Sequence, residues 1–458
     1  MKKLYAIAVL IFFTLTSSAQ ADLHVANVIP GPYLRPGTYT FTFGLENLGA
    51  QGCGIRVYWQ VDNGPVYNRL PYTPGGLNAH QGVTQVVSDS FRITVTTASK
   101  IFKVWAVPLN GVTDANHAND TFIHVLKVRN DIPDKNVVLE VYKHQICGPC
   151  YPAAEYNHQY IEPMQNHNIV YLYTDPNDVL YNADAAAINK VYNFAHPAPM
   201  FDRYKFPYFP DIMTGYFTLD NVYQLREQGR RDIMYEPLGV SIAYMSLDTT
   251  TRKLRVRVKA KTIDTIAGDL RFNLWITEDS IKAYQAEAPN PNNYWHSHVL
   301  RSFVGGQWGV AGSMPKTMYP GQESTYDFQY TVPANYVLKR LNVIGLVQIY
   351  NKDSFARRIV NSARARATQK LGIAELPVLT DIQVYPNPAK EQIWIKNSQS
   401  KTETLQISLY NSLGQMIIQK EMKSAVESLD IHQFPAGNYV LQIVSERGHF
   451  EYPLVKVE

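Results

Sequence analysis

The sequence predicts a multidomain α+β protein in which β-rich units enclose one α/β unit. Three observations carry this expectation. A chain of 458 residues with 45% hydrophobic content is too long for one core, so three or four domains are expected. Runs such as Ile55 to Val61, Leu254 to Val258 and Leu270 to Ile276 alternate apolar and polar residues at the strand period. Between them, residues 131–236 alternate strand-like and helix-like stretches. The 31 Tyr and 27 Pro, with only 18% charged residues, fit exported β-rich domains better than helical bundles.

Residues 1–21 read as a secretory signal. Lys2 and Lys3 form the charged start, and Leu4 to Leu15 the apolar stretch, too short for a membrane span. Ala19-Gln20-Ala21 supplies the small-x-small cleavage pattern, which makes Asp22 the first mature residue. No later run is apolar and long enough to span a bilayer. The formal net charge of +4, with no basic patch, gives no reason to expect nucleic acid as a partner. Export places the three cysteines, Cys53, Cys147 and Cys150, where disulfides persist, but three are too few to staple a scaffold. Cys53, between Gly52 and Gly54, reads as a small buried apolar residue.

Residues 22–130 predict a β-sandwich, with strands at Tyr39 to Leu45, Ile55 to Val61 and Ile101 to Val107 separated by turn-rich clusters. Asp114 to Asp120 precede a last strand from Thr121 to Val128. This ending resembles the closing motif of bacterial cell-adhesion-related immunoglobulin-like domains. The Asp and Asn residues there read as a polar turn rather than a calcium site, because no spaced calcium loop is present.

In residues 131–236 the expected order is a strand at 137–142, Cys147-Gly148-Pro149-Cys150, a helix at about 148–165, a strand at 169–174 and a helix at 182–195. A Pro-rich entry from Pro197 to Pro210, a strand pair at 211–217 and a helix at 220–234, capped by Asp220, complete it. Two thiols three positions apart at a strand-to-helix junction can open and close a disulfide. Gly148 permits the tight turn, and Pro149 suits a first helical turn. A helix N-terminus can lower such a thiol from about 8.5 to near 3.5–7.5. Cys147, nearer the helix start, is the expected nucleophile, and Cys150 resolves the mixed disulfide. The element order resembles the thioredoxin arrangement, an α/β domain. That resemblance implies a cis-proline beside the thiols. Pro210 is the preferred candidate and Pro207 the alternative, because taking Pro207 would leave Pro210 inside a paired strand without a donor. Glu140, seven positions before Cys147, is either a buried proton acceptor for Cys150 or an edge carboxylate.

Residues 237–370 return to a β-sandwich, with a buried strand from Val343 to Tyr350 and a basic stretch at Arg357, Arg358, Arg364 and Arg366 that reads as a solvated face. Zinc held by the two thiols with His144 and His158 is the weaker reading, since neither His falls at finger spacing. His296 and His298 would share one strand face, with no carboxylate paired to them by spacing. No metal and no cofactor is expected.

Residues 376–458 form a small C-terminal β-sandwich, opened by Ile382-Gln383-Val384-Tyr385-Pro386-Asn387-Pro388 and closed by a hairpin from Leu429 to Ile443. The pattern closely resembles the C-terminal sorting domain of the type IX secretion system in Bacteroidetes. That resemblance implies passage through the periplasm and across the outer membrane, and contact with the secretion machinery.

Residues 137–370 together resemble the twenty-eight-kilodalton outer-membrane-protein family of Bacteroidetes, which pairs a thioredoxin-like unit with a β-domain. The matching residues are Glu140, Cys147, Cys150 and His298-Val299-Leu300-Arg301. Tyr151 stands where that family places Pro directly after the second Cys, and Ile146 where thioredoxin has Trp; both bear on substrate preference. The function these readings imply is thiol–disulfide exchange on exported proteins. The alternative is a surface adhesin or ligand-binding protein, in which the disulfide is only a staple.

Overall fold

The computed structural model describes residues 20–29, 31–69, 76–93, 99–205, 234–371, 381–398, 404–445 and 449–458. The chain divides into two compact units, Met1–Leu371 and Gly372–Glu458. The first unit opens with two sheets packed face to face. One joins Leu23–Ile29, Gly37–Asn47 and Gly82–Ile93; the other is built on Ile55–Val61, Ser99–Pro108 and Thr121–Val128. Phe41, Phe43, Trp59, Phe102 and Val104 fill the space between them. Cys53 is buried in the same core, where burial raises its thiol pKa. Asp114 accepts from Leu23 N at 2.9 Å and from Asn116 N at 2.9 Å, so its carboxylate closes a turn.

The expected multidomain α+β class, with a thioredoxin-like α/β unit at its centre, is overturned. Among the described residues the chain is nearly all β, 51% strand against 8% helix, and the described part of 131–236 does not fold as a separate α/β thioredoxin-like domain. Their strands are β1 (Val137–Lys143), β2 (His167–Tyr173) and β3 (Ala198–Phe201). These continue into strands of the following region, β4 (Asp269–Glu278), β5 (Val299–Phe303), β6 (Leu341–Tyr350) and β7 (Arg358–Arg366). All seven form one sheet in the order β3-β1-β2-β5-β4-β6-β7. The join is parallel, at Tyr171 opposite Val299, where Tyr171 N donates to His298 O at 2.8 Å. The physical reason is the flank of β2. Unpaired strand N–H and C=O groups are costly when buried, and β5 satisfies them.

The helices are shorter than the sequence suggests. α1 runs Cys150–Tyr156 and gives way to a π turn at Asn157–Ile161. α2 runs Ala183–Tyr192; the Asn182 side chain caps it by accepting from Ala185 N, and Asn193 ends it at φ 54°. The expected strand pair at 211–217 and helix at 220–234, with its cap Asp220, lie outside the described residues apart from Met234.

Strand alternation sorts the sheet's two faces. On one face Val138, Tyr142, Met200, Trp275, Ile344 and Ile359 pack with Ala185 and Ile188 of α2. On the other, Leu139, Val141, Tyr171 and Tyr173 pack with Ala154 of α1. Farther along that second face, Leu270, Phe272, Val343 and Val347 pack on the sheet of Leu238–Leu247, Lys253–Thr262 and Glu323–Thr331. Gly345 allows the close approach there, since a Cβ would stand 2.8 Å from Val258 Cγ2. The first sandwich is tied to this region at Asp264, which binds Lys127 Nζ and accepts from the Tyr33 hydroxyl at 3.1 Å.

The second unit is a pair of small sheets. One joins Ile382–Tyr385, Gln392–Asn397 and Val426–Asp430; the other Leu405–Tyr410, Met416–Met422, Gly437–Val444 and His449–Lys456. Ile393, Ile395, Ile407, Leu409, Leu441 and Ile443 lie between them. Among the described residues no helix is long and apolar enough to cross a membrane.

Candidate functional site: the Cys147–Cys150 disulfide

The site is built where β1 ends. Val137 to Lys143 is buried along its whole length, and the chain then turns through His144 to Pro149 before α1 begins. Cys147 and Cys150 are joined in a disulfide, with their Cα atoms 5.3 Å apart. Cys147 is half-buried, whereas Cys150 is 1% exposed and lies on the face of α1 that packs on the sheet. Of the two residues, Cys147 is the one that solvent reaches.

Three segments meet beneath this turn, and Gln145 fastens them. Its backbone N–H donates to both carboxylate oxygens of Asp178, at 3.0 and 3.2 Å. Its side chain donates to Tyr284 O at 2.7 Å and accepts from Val179 N at 2.8 Å. Gln285 reinforces the turn from the same side, donating to Gln145 O at 3.2 Å and to Cys147 O at 3.3 Å. Burial raises the pKa of Asp178.

On the other flank, Cys147 Sγ lies 3.8 Å from the His196 carbonyl oxygen. The His196–Pro197 peptide is cis. Pro207 and Pro210, the candidates reached from sequence, lie outside the described residues. The His196 ring packs at a tilt against His144 with centroids 3.8 Å apart, and Thr174 Oγ1 lies within 3.1 Å of Nε2 of both rings. Burial and the neighbouring His144 pull the His196 pKa down to about 4.

Glu140 is not placed to serve Cys150. It points to the α2 face, opposite the face that α1 covers, and both its oxygens bind Arg203, at 2.7 Å to Nε and 2.8 Å to Nη2. Arg203 is fully buried between Trp275 and Trp308, with ring centroids 5.3 and 4.9 Å away. Asp202 beside it forms a second buried pair with Lys135 at 2.9 Å. Asp202 and Arg203 both take left-handed backbone, at φ 53° and 52°, a conformation these ion pairs hold in place. Sequence reasoning missed Arg203 and Lys135, whose partners lie 63 and 67 residues away.

His158, His296 and His298 do not gather at the thiols. His158 and His298 sit on either side of Glu162, 2.5 and 3.1 Å away, and together they hold its carboxyl at about 2. His296 instead lies 2.6 Å from the Tyr173 hydroxyl. His298, at φ 56°, lies past the end of the Tyr294–His296 strand, so the two rings take different partners instead of sharing one face. Among the described residues no group of three or more His, Cys, Asp or Glu side chains could hold a metal ion.

Residues 383–455 match the family model described as the secretion system C-terminal sorting domain. The chain is therefore exported by type IX secretion, to the cell surface or beyond it, and its second unit engages that machinery. No curated protein sequence matches the chain. Among solved structures it is similar to HBP35 of Porphyromonas gingivalis, at 15% identity over 70% of this chain and 98% of that one, with a TM-score of 0.44. It is also similar to the CARDB domain of a Pyrococcus furiosus protein solved with di-metal ions, at 14% identity over 25% of this chain and 98% of that one, TM-score 0.20. A third is the alpha-2-macroglobulin of E. coli, at 11% identity over 96% of this chain and 22% of that one, TM-score 0.19.

Proposed function

We propose that this exported chain exchanges disulfides with other exported polypeptides through Cys147. The observation that carries the reading is the asymmetry of the pair, one half-buried cysteine joined to one sealed beneath α1. A partner thiolate attacks Cys147 Sγ in line with the S–S bond. That bond breaks, and its electron pair leaves on Cys150 Sγ. A second partner thiolate then attacks the partner sulfur of the mixed disulfide, so the partner leaves oxidised and the pair is reduced. The reverse sequence, started by the Cys147 thiolate on a partner disulfide, reduces the partner, and an added dithiol restores the enzyme. Either direction is served by one reachable sulfur and one resolving sulfur held three positions away.

The test is insulin reduction by the full chain with a small dithiol as electron donor, beside Cys147→Ser. Wild type is expected to accelerate the reaction, and the variant to fall to the rate of the dithiol alone. Equal rates for the two would overturn the reading and leave the disulfide a staple in a surface-displayed binding protein.

A further inference from the structure

Lys143, the last residue of β1, is 1% exposed, and its side chain is turned to the sheet face that α1 covers. Its Nζ stands 4.9 Å from the ring centre of Tyr171 and 5.4 Å from that of Tyr173, on β2. Ala154 of α1 packs into the same cluster as those two rings, and the Tyr171 hydroxyl reaches Ala154 O at 3.5 Å. Cys150 opens that helix and shares its buried face with Ala153 and Ala154. The topology therefore sets a buried amine and a buried sulfur under the same short helix.

We propose that Lys143 is the buried positive charge that answers the thiolate released on Cys150 when the disulfide opens, so that reduction of the pair is accompanied by uptake of a proton at the Lys143 amine. This rests on the reading that the pair is redox-active. The reasoning is electrostatic. Attack at Cys147 sends the electron pair of the S–S bond to a sulfur that water does not reach. A buried anion needs a nearby cation or a proton. In the oxidised protein the same pocket holds no sulfur charge, so the ammonium form of Lys143 is the one burial disfavours.

The other groups facing Lys143 are already committed. Glu155, on α1, accepts from the Tyr294 hydroxyl at 3.1 Å. Asp178 accepts twice from Gln145 N. His296 is bonded to the Tyr173 hydroxyl and lies 3.2 Å from Tyr284 O, and burial drops its pKa to about 3. Burial pushes the phenols of Tyr171, Tyr173 and Tyr294 far up, out of the neutral range. Among the described residues no carboxylate forms an ion pair with Lys143, and burial, opposed by the more distant Asp178 and Glu155, brings its pKa down to about 7. It is the group here whose charge can change near neutrality.

The experiment equilibrates the full chain with glutathione and its disulfide from about pH 6 to about pH 9 and counts reduced protein by alkylation. Above pH 7 the proton taken up at Lys143 replaces the one Cys150 would otherwise take, so wild type and Lys143→Met should run level; below it the ammonium is present beforehand and Cys150 stays a thiolate, so the wild-type equilibrium constant for reduction should fall by up to about tenfold per pH unit towards pH 6 while that of Lys143→Met stays level. Lys143→Gln is the second variant should Lys143→Met fail to fold. Superposable pH profiles for wild type and either folded variant would overturn the proposal. Failure of the exchange reading shows up elsewhere, as absent insulin turnover, and leaves this equilibrium measurable.

Discussion

Glu140→Ala should destabilise the first unit by about 3–5 kcal/mol, the cost of leaving one member of a buried ion pair without its counter-charge. Arg203 would remain fully buried between Trp275 and Trp308 with its carboxylate gone. Its remaining named acceptor is Gln307 O at 3.1 Å. Tyr142, whose hydroxyl donates to Glu140 Oε1 at 3.3 Å, would lose its acceptor as well. Urea unfolding followed by tryptophan emission reads the loss, because two of the indoles stack on the guanidinium. The double variant Glu140→Met with Arg203→Met should recover most of it, since removing both charges removes the desolvation cost. A loss under about 1 kcal/mol for the single variant would show that the pair contributes little. The folded single variant should keep the redox pH profile of wild type, because Glu140 lies on the sheet face away from Cys150.

Lys143→Met should act in the opposite direction, raising the stability of the oxidised protein at neutral pH by on the order of 4 kcal/mol. The sign follows from the titration. Burial lowers the folded-state pKa of Lys143 to about 7, while in the unfolded chain the amine returns to about 10.4. Between those values the unfolded state binds the extra proton, so wild-type stability rises with pH across that window. Below about pH 7 both states carry the charge and the whole penalty is present. Methionine fills a similar space with no charge to desolvate. The advantage of the variant should therefore be full near pH 6–7 and shrink towards about pH 10, read from urea midpoints at each pH. A variant less stable than wild type at neutral pH would mean that the ammonium is stabilised by its surroundings rather than opposed by them.

The disulfide pair was legible because its chemistry is local: four consecutive residues spell it, and the run before it is plainly a strand. The signals of the C-terminal sorting unit are local too, in turn residues and alternation. Glu140 shows what was not legible. Burial could be guessed from Val137 to Tyr142, but the role depends on which sheet face α1 covers and on Arg203, 63 residues on. Lys143 lies one residue past the expected strand at 137–142, and only the aromatic rings of β2 and the helix above turn it into a buried amine. The sequence reads 197–210 as a Pro-rich approach to a strand pair. In the structure a strand already begins at Ala198 and holds Pro199 within it. The fold class failed for a related reason. Strand, helix and strand were each recognisable, but nothing in 131–236 announces that its sheet will be completed by Val299 to Phe303.

The shared sheet sets a limit on how this gene can be cut. A clone stopped at residue 236 would strand β2 with a naked margin where Val299 belongs, and would also strip Lys135 of its acceptor at Val360 O and Asn136 of its anchors at Asn361 and Ser362. Such a piece should emerge from the ribosome as inclusion bodies, whereas one carried through to Leu371 should stay in solution, and sedimentation of the two lysates would tell them apart. A dithiol centre in this chain is thus inherited together with its neighbour or not at all.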